Sequence, residues 1–208
     1  MVGWAETIYD EDTKFTTPFP DEKYLSSLPK NVKILDVGCG YGRTLVYLNS
    51  LGFHNLTGFD ISPSYIAQAK KNCPGANVYA SSFENFSTDK KYDLILLMGI
   101  IEYIKKDKEQ EEFFEKISQI LSNKGQVMLE TFVMDSNANW RQYIKGFVKN
   151  WHMGRFINSK GFECHHQTSR HLGKVLKKYF TIECDEKKEY YTWTKNICKG
   201  HYFVLRKK

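Results

Sequence analysis

The sequence predicts an α/β fold in which a parallel sheet is covered by helices on both faces. Three observations carry this expectation. Short β-rich runs recur between Val32 and Phe132, helical patterns separate them, and most of the runs are continuously apolar rather than alternating. With 208 residues, 41% of them hydrophobic, the chain has material for one core, so a single domain over 1–208 is expected.

The first unit opens with Val32–Val37 (VKILDV), a β-rich run that stops at a glycine cluster. From Thr44 the residues Leu45, Leu48 and Leu51 fall at helical spacing, and Gly52 supplies a stop. Leu56–Asp60 (LTGFD) repeats the strand. Ser62 then stands as an N-cap with Pro63 at the first helical position, and Ile66 and Ala69 mark the buried face. A weaker strand at Val78–Ala80 and a stronger one at Tyr92–Met98 (YDLILLM) follow. A charged helix around Glu109–Leu121, a turn at Asn123-Lys124-Gly125 and a strand at Gln126–Phe132 complete the alternation.

From Asp135 to about Tyr179 the rhythm breaks. Trp140, Tyr143, Ile144, Phe147, Val148 and Trp151 fall at helical spacing on a basic segment, and a stripe of this kind is expected to pack against a core. Thr181–Cys184 and Tyr202–Arg206 read as two closing strands able to pair antiparallel.

Composition narrows the function classes. The longest apolar run, Leu94–Ile101, is far short of the roughly 20 residues of a membrane-spanning helix. The acidic N-terminal stretch lacks the pattern of an export signal, so a cytoplasmic protein is expected. Five cysteines without a C-x-x-C pair argue against a disulfide framework or an iron–sulfur cluster, and the compact Cys164-His165-His166 does not have zinc spacing, so no metal is expected. The net charge of +6 is unevenly spread: residues 1–140 carry 14 Lys/Arg against 19 Asp/Glu, and residues 141–208 carry 16 against 5. The basic third reads most simply as a solvated surface, and more sharply as a docking surface for an acidic partner.

The chemistry-bearing segment is the turn Asp36-Val37-Gly38-Cys39-Gly40-Tyr41-Gly42-Arg43 between the first strand and its helix. Glycines let the backbone approach a ligand closely, and the helix start offers unpaired N–H groups, which suits a nucleotide-like cofactor. The dinucleotide fingerprint G-x-G-x-x-G needs glycine where Arg43 stands, and Asp36 is unfavourable beside a pyrophosphate. A cofactor with a cationic end fits the acidic turn better by Coulomb's law. Asp60, at the end of the second strand, is placed to accept hydrogen bonds from ribose hydroxyls. No G-x-x-x-x-G-K-[ST] occurs, which lowers kinase and ATPase readings.

The segment from about Asn31 to Phe132 resembles the class I S-adenosylmethionine-dependent methyltransferases. VKILDVGCGYGR is similar to the family's first motif, which implies that Asp36, Gly38 and Gly40 line the methionine part of the cofactor. LTGFDIS is similar to the second, implying Asp60 as ribose ligand and Ile61 as cover for adenine. VYASSFENF stands where the family usually has an acidic residue at the adenine amino group, and here the positions are Ser82 and Phe83. YDLILLMGIIEYI resembles the fourth strand and its turn, with the Gly99 carbonyl toward the cofactor ammonium. LSNKGQVMLETF matches the following turn and strand. The resemblance implies a Rossmann-like, seven-stranded, mostly parallel sheet with one antiparallel strand near the C-terminus, S-adenosylmethionine as cofactor and S-adenosylhomocysteine as product.

Methyl transfer is an in-line displacement, so alignment and exclusion of water are the protein's main tasks, and one positioned base can assist. Glu102, Tyr103 and His152 are weak catalytic candidates, with Glu130, His165, His166 and His171 behind them. Residues 1–30 with Trp4, Tyr9, Phe15 and Phe19, together with a helical insertion at 135–178, are expected to cap the acceptor pocket. No N/D-P-P-Y/F follows the fourth strand, no C-x-x-x-C-x-x-C occurs, and no RNA-binding module is evident. A small-molecule acceptor methylated on N or O therefore leads. An RNA or protein substrate docked on the basic third is the alternative, and a non-catalytic S-adenosylmethionine-binding subunit is a third reading. Sequence alone leaves the oligomeric state open.

Overall fold

The structure, a computed structural model, describes residues 6, 9, 19–134, 140–158, 161–191 and 197–208. Trp4, Phe15 and Asp135, named above as parts of the capping segments, lie outside the described residues.

The elements follow in the order α1 (Glu22–Leu25), β1 (Ile34–Val37), α2 (Arg43–Ser50), β2 (Leu56–Asp60), α3 (Pro63–Asn72), β3 (Asn77–Ala80) and β4 (Tyr92–Met98). A 3-10 turn (Ile101–Tyr103), α4 (Asp107–Ile120), β5 (Leu121–Phe132), α5 (Trp140–Asn150), β6 (Arg155–Ile157), β7 (Glu163–His165), α6 (Ser169–Tyr179), β8 (Phe180–Tyr191) and β9 (Ile197–Lys207) complete the chain. Seven strands form one sheet in the order β3-β2-β1-β4-β5-β9-β8. Every neighbouring pair through β5 is parallel, and β9 runs antiparallel to both β5 and β8. This is the sheet the resemblance implies, with a single reversed strand.

Period-two geometry explains the continuous apolar strands. Leu35, Val37, Ile95, Leu97, Val127, Leu129 and Leu205 face one layer, packed against Phe113, Phe114 and Ile117 of α4 and Leu172, Val175 and Leu176 of α6. Their neighbours Ile34, Leu94, Leu96, Met128 and Val204 face the other, against Leu45 and Leu48 of α2 and Ile66 and Ala69 of α3. Both faces of each central strand are thus buried.

Ser62 caps α3 through its Oγ, which accepts the Tyr65 N–H, and Pro63 opens the helix. The turn at Asn123-Lys124-Gly125 is an irregularity within β5: Leu121 pairs with Tyr92, and regular register resumes at Gln126 opposite Leu94. The insertion after β5 comprises α5, a two-stranded antiparallel sheet of β6 and β7, and α6. The packing expected of the aromatic stripe is not found. The aromatic stripe is helical, yet only Tyr143 is buried, while Trp140, Ile144, Phe147, Val148 and Trp151 are exposed. The helix turns one flank to β6, where a side-chain carbon at Gly146 would collide with the Arg155 carbonyl, and this leaves the neighbouring apolar arc uncovered.

Candidate cofactor and acceptor site

From β1 the chain winds outward to β2 and β3, then crosses back to β4 on the other side of β1, so the strand order reverses at β1 and a crevice lies at the carboxyl ends of β1 and β4. The glycine turn sits there with Gly38, Gly40 and Gly42 at φ of +68°, +52° and +86°. A side-chain carbon at Gly38 would run into Ile100 Cδ1, and one at Gly42 would meet the Ala69 backbone at 3.2 Å. The turn therefore requires glycine both for its left-handed backbone and for close packing. Gly42 serves as N-cap of α2 with no side-chain hydrogen bond.

Asp60 ties the crevice together. One carboxylate oxygen accepts the Gly40 N–H at 3.0 Å and the other accepts the Ser62 N–H at 2.8 Å. Burial pushes its carboxyl above the usual range, and those two N–H groups oppose the shift. Asp36 is buried on the same turn with Oδ2 lacking a hydrogen-bond partner among the described residues. Burial pushes its carboxyl up to about 7, Arg43 lowering and Asp60 raising it further.

Around this turn stand aromatic rings. Tyr9 meets Tyr41 and Tyr65 edge-on at 5.6 and 6.2 Å, and its N–H donates to Ser64 Oγ at 2.8 Å. Arg43 lies 4.4 Å from the Phe19 ring centroid. Two points of the N-terminal segment therefore rest beside the turn and α2. On the adenine side predicted from the motifs, Ile61 is exposed, and Ser82 Oγ accepts the Asn85 N–H at 3.4 Å. The Phe83 ring packs on Phe113 with a 4.1 Å centroid separation, and Lys116 lies over it.

The opposite wall comes from the ends of β4 and β5. Gly99, at φ +72°, donates its N–H to the Glu130 carbonyl at 2.9 Å. Glu102 and Tyr103 sit together on the 3-10 turn. Glu102 is buried and accepts from Thr131 Oγ1 at 2.9 Å, and burial raises its carboxyl to about 7. Burial, then Glu102, Cys164 and Tyr65, holds the Tyr103 phenol well above its ordinary range, so it remains protonated at neutral pH. His152 is exposed and follows the end of α5. His166 is buried beside Phe132 and Phe156, with Nδ1 2.8 Å from the Tyr143 hydroxyl; burial, then His165, pulls it down to about 3 and keeps it neutral. His165 is lowered as well, chiefly by burial, and His171 is exposed.

Sequence reasoning missed two features. Arg43, counted only as a missing glycine, is a half-buried guanidinium within electrostatic reach of Tyr41, Asp36 and Glu130. Its position directly after the last glycine of the turn was the available signal. The Tyr143–His166 pair joins α5 to the segment after β7, a contact across 23 residues with no local signature.

A family model described as a methyltransferase domain matches residues 14–179. The chain belongs to the S-adenosylmethionine-dependent methyltransferases, with the class I fold. This methyltransferase is 27% identical over 146 residues to a ubiquinone biosynthesis O-methyltransferase of Rickettsia conorii, covering 67% of this chain and 48% of that one. It therefore spans about half the length of the curated relatives it matches. A crystal structure of a S-adenosylmethionine-dependent methyltransferase from Methanosarcina mazei superposes with a TM-score of 0.81 at 23% identity, covering 91% of this chain and 99% of that chain. The 1,6-didemethyltoxoflavin-N1-methyltransferase of Burkholderia thailandensis, solved with its acceptor and S-adenosylhomocysteine, gives 0.66 at 16% identity, covering 90% and 74%.

The residues present fit the family's cofactor. The buried Asp36 oxygen that lacks a hydrogen-bond partner among the described residues suits a cation, and three glycines at positive φ keep the turn's backbone free of side chains on the crevice. Among the described residues no helix is long and apolar enough to cross a membrane.

Proposed function

We infer that this methyltransferase transfers the methyl group of S-adenosylmethionine to an oxygen or ring nitrogen of a small-molecule acceptor. The observation that carries the reading is the pairing of Asp60, clamped on the Gly40 and Ser62 N–H groups, with the buried Asp36, whose Oδ2 has no hydrogen-bond partner among the described residues. Asp60 keeps lone pairs for two ribose hydroxyls, and the Asp36 oxygen that accepts no hydrogen bond among the described residues is available to a cationic ligand. Arg43 supplies the complementary cation for the carboxylate of the methionine moiety. Ile61 and Ser82 flank the adenine, with Phe83 behind them. Gly38, Gly40 and Gly99 allow the backbone to approach.

The bound cofactor supplies an electrophilic methyl on a sulfonium. The chain's task is then to align the acceptor and exclude water. Tyr9 and Phe19, resting beside the turn, and α5 with Tyr143 cover the cleft from its two open sides. Glu102 is held by Thr131 and Tyr103 is kept protonated, so the pair suits orientation of an acceptor hydroxyl and acceptance of its proton near neutral pH. The names of the Rickettsia and Burkholderia proteins, one an O-methyltransferase and one an N1-methyltransferase, support an aromatic acceptor.

The test is release of S-adenosylhomocysteine from the purified chain incubated with pooled phenols, catechols, nitrogen heterocycles, peptides and tRNA. Turnover on the aromatic pool supports the reading. Turnover on tRNA or peptide alone assigns the basic third to substrate docking instead, and cofactor binding without turnover on any pool overturns the catalytic reading.

A further inference from the structure

We propose that the uncovered apolar arc of α5, continued by β6, is a docking surface for an anionic lipid bilayer. Of the twelve large hydrophobic side chains exposed among the described residues, seven lie between positions 140 and 157. Scattered single exposures are ordinary, but a concentration of this kind marks an interaction surface.

Helical geometry sorts α5 into three sectors at about 100° per residue. Tyr143 and Gly146 face the protein, toward His166 and β6. Trp140, Ile144, Phe147 and Val148 form the next arc, Val148 being 74% exposed, and Trp151, just past the helix end and 81% exposed, joins it edge-on to Phe147 at 5.9 Å. Arg141 and Lys145 follow on the far flank, both exposed. Met153 and Ile157 extend the apolar surface past the helix end. A Trp- and Phe-bearing face bordered by basic residues is the arrangement of a helix lying in the plane of a membrane interface.

Trp151 adds an independent sign. It is the one non-glycine residue at positive φ, +55°, among the described residues. A bulky residue in that conformation is disfavoured, and here almost nothing within the protein covers the side chain so placed. The orientation presents the indole outward.

Charge selects the occupant. Residues 141–208 carry 16 Lys/Arg against 5 Asp/Glu, which favours a negatively charged surface. A second copy of the chain meeting face to face would bring together two helices that carry basic residues and no acidic one to oppose them. Nucleic acid would use the aromatic rings but would leave Ile144, Val148, Met153 and Ile157 without apolar partners. A bilayer accommodates the aromatic, aliphatic and basic residues together. Through Tyr143 the same helix reaches His166 and Phe132 at the end of β5, so the docking face adjoins the cleft.

The experiment is co-sedimentation of the full chain with vesicles of phosphatidylcholine alone and with about one-third phosphatidylglycerol. Wild-type protein is expected to partition onto the anionic vesicles and to be released by salt. Val148→Glu with Trp151→Glu lowers that partition at least about tenfold. Arg141→Glu with Lys145→Glu lowers it about fivefold per position on anionic vesicles. All four side chains are exposed, so melting temperature and S-adenosylmethionine binding stay at wild-type values in both variants, and this confirms that the losses belong to the surface. Three results overturn the proposal: no partition onto anionic vesicles, wild-type partition by the Val148/Trp151 variant, or a wild-type dimer or RNA complex that the same variant abolishes in place of vesicle binding.

Discussion

Asp60 accepts the Gly40 N–H at 3.0 Å, so the second strand's terminal carboxylate fixes the middle of the glycine turn as well as facing the crevice. With its other oxygen on the Ser62 N–H, the same side chain holds the start of α3. A substitution here acts on the cradle and on the ligand together. Asp60→Ala is expected to weaken S-adenosylmethionine binding about a hundredfold or more, from two lost charge-assisted hydrogen bonds, and to lower stability by about 1–3 kcal/mol. Calorimetric titration paired with urea unfolding separates the two effects. Wild-type affinity in this variant would remove Asp60 from the site.

Asp36 links cofactor binding to pH. Its carboxyl in the free protein is raised to about 7, and a cationic ligand favours the ionised form. Affinity for S-adenosylmethionine is therefore expected to rise between about pH 6 and 8 with release of a proton, and to become flat in Asp36→Asn. Titrations in two buffers of different ionisation enthalpy measure the released proton directly.

The free protein should follow the opposite trend. Asp36 and Glu102 both have folded-state values near 7, above their ordinary ones, so their contribution to stability is full below about pH 4 and is lost as pH rises through 7. Melting temperature without cofactor is expected to fall from pH 5 to pH 8, and the double variant Asp36→Asn, Glu102→Gln to flatten that fall. An unchanged slope in the double variant would place the titration elsewhere.

Gly38→Ala introduces both a left-handed alanine and a collision with Ile100. The expected loss is about 1–2 kcal/mol of stability, chiefly from the left-handed backbone because the terminal Ile100 carbon can turn aside, with weakened cofactor binding. Adding Ile100→Ala relieves the collision but not the backbone strain, so a double-mutant cycle should recover only part of the loss.

Tyr143→Phe leaves His166 Nδ1 buried without the tyrosine hydroxyl. A cost of about 1–3 kcal/mol is expected in urea unfolding. Because burial holds the imidazole neutral, the cost should be the same at pH 6 and pH 8. A cost that vanishes at pH 6 would mean that the histidine is protonated there.

What the sequence revealed was what is local. The bounds Leu56–Asp60 and the start of α3 were legible because a cap, a proline and an apolar run stand side by side at Asp60 to Pro63. The β6–β7 pairing was not, since three-residue strands joined across Gly161 carry too little pattern. α6 holds Leu172, Val175, Leu176 and Tyr179 at helical spacing, but no proline or glycine marks either of its ends and it passes directly into β8 at Phe180, so its bounds carry little local signal. The full length of β8 was hidden by its charge-rich middle, Asp185 to Glu189, a pattern that protects an edge strand and reads as a loop. Periodicity found α5 but is silent on which flank another element covers, so its exposed arc emerged only in three dimensions.

The central claim is that the crevice beside β1 takes S-adenosylmethionine rather than a pyrophosphate-bearing nucleotide. Titration of the purified chain with S-adenosylmethionine, NAD and ATP in turn tests it most directly. A single saturable site for S-adenosylmethionine tighter than about 1 mM, with no response to the other two, is the predicted result. Silence toward S-adenosylmethionine with saturable binding of NAD or ATP would contradict the account.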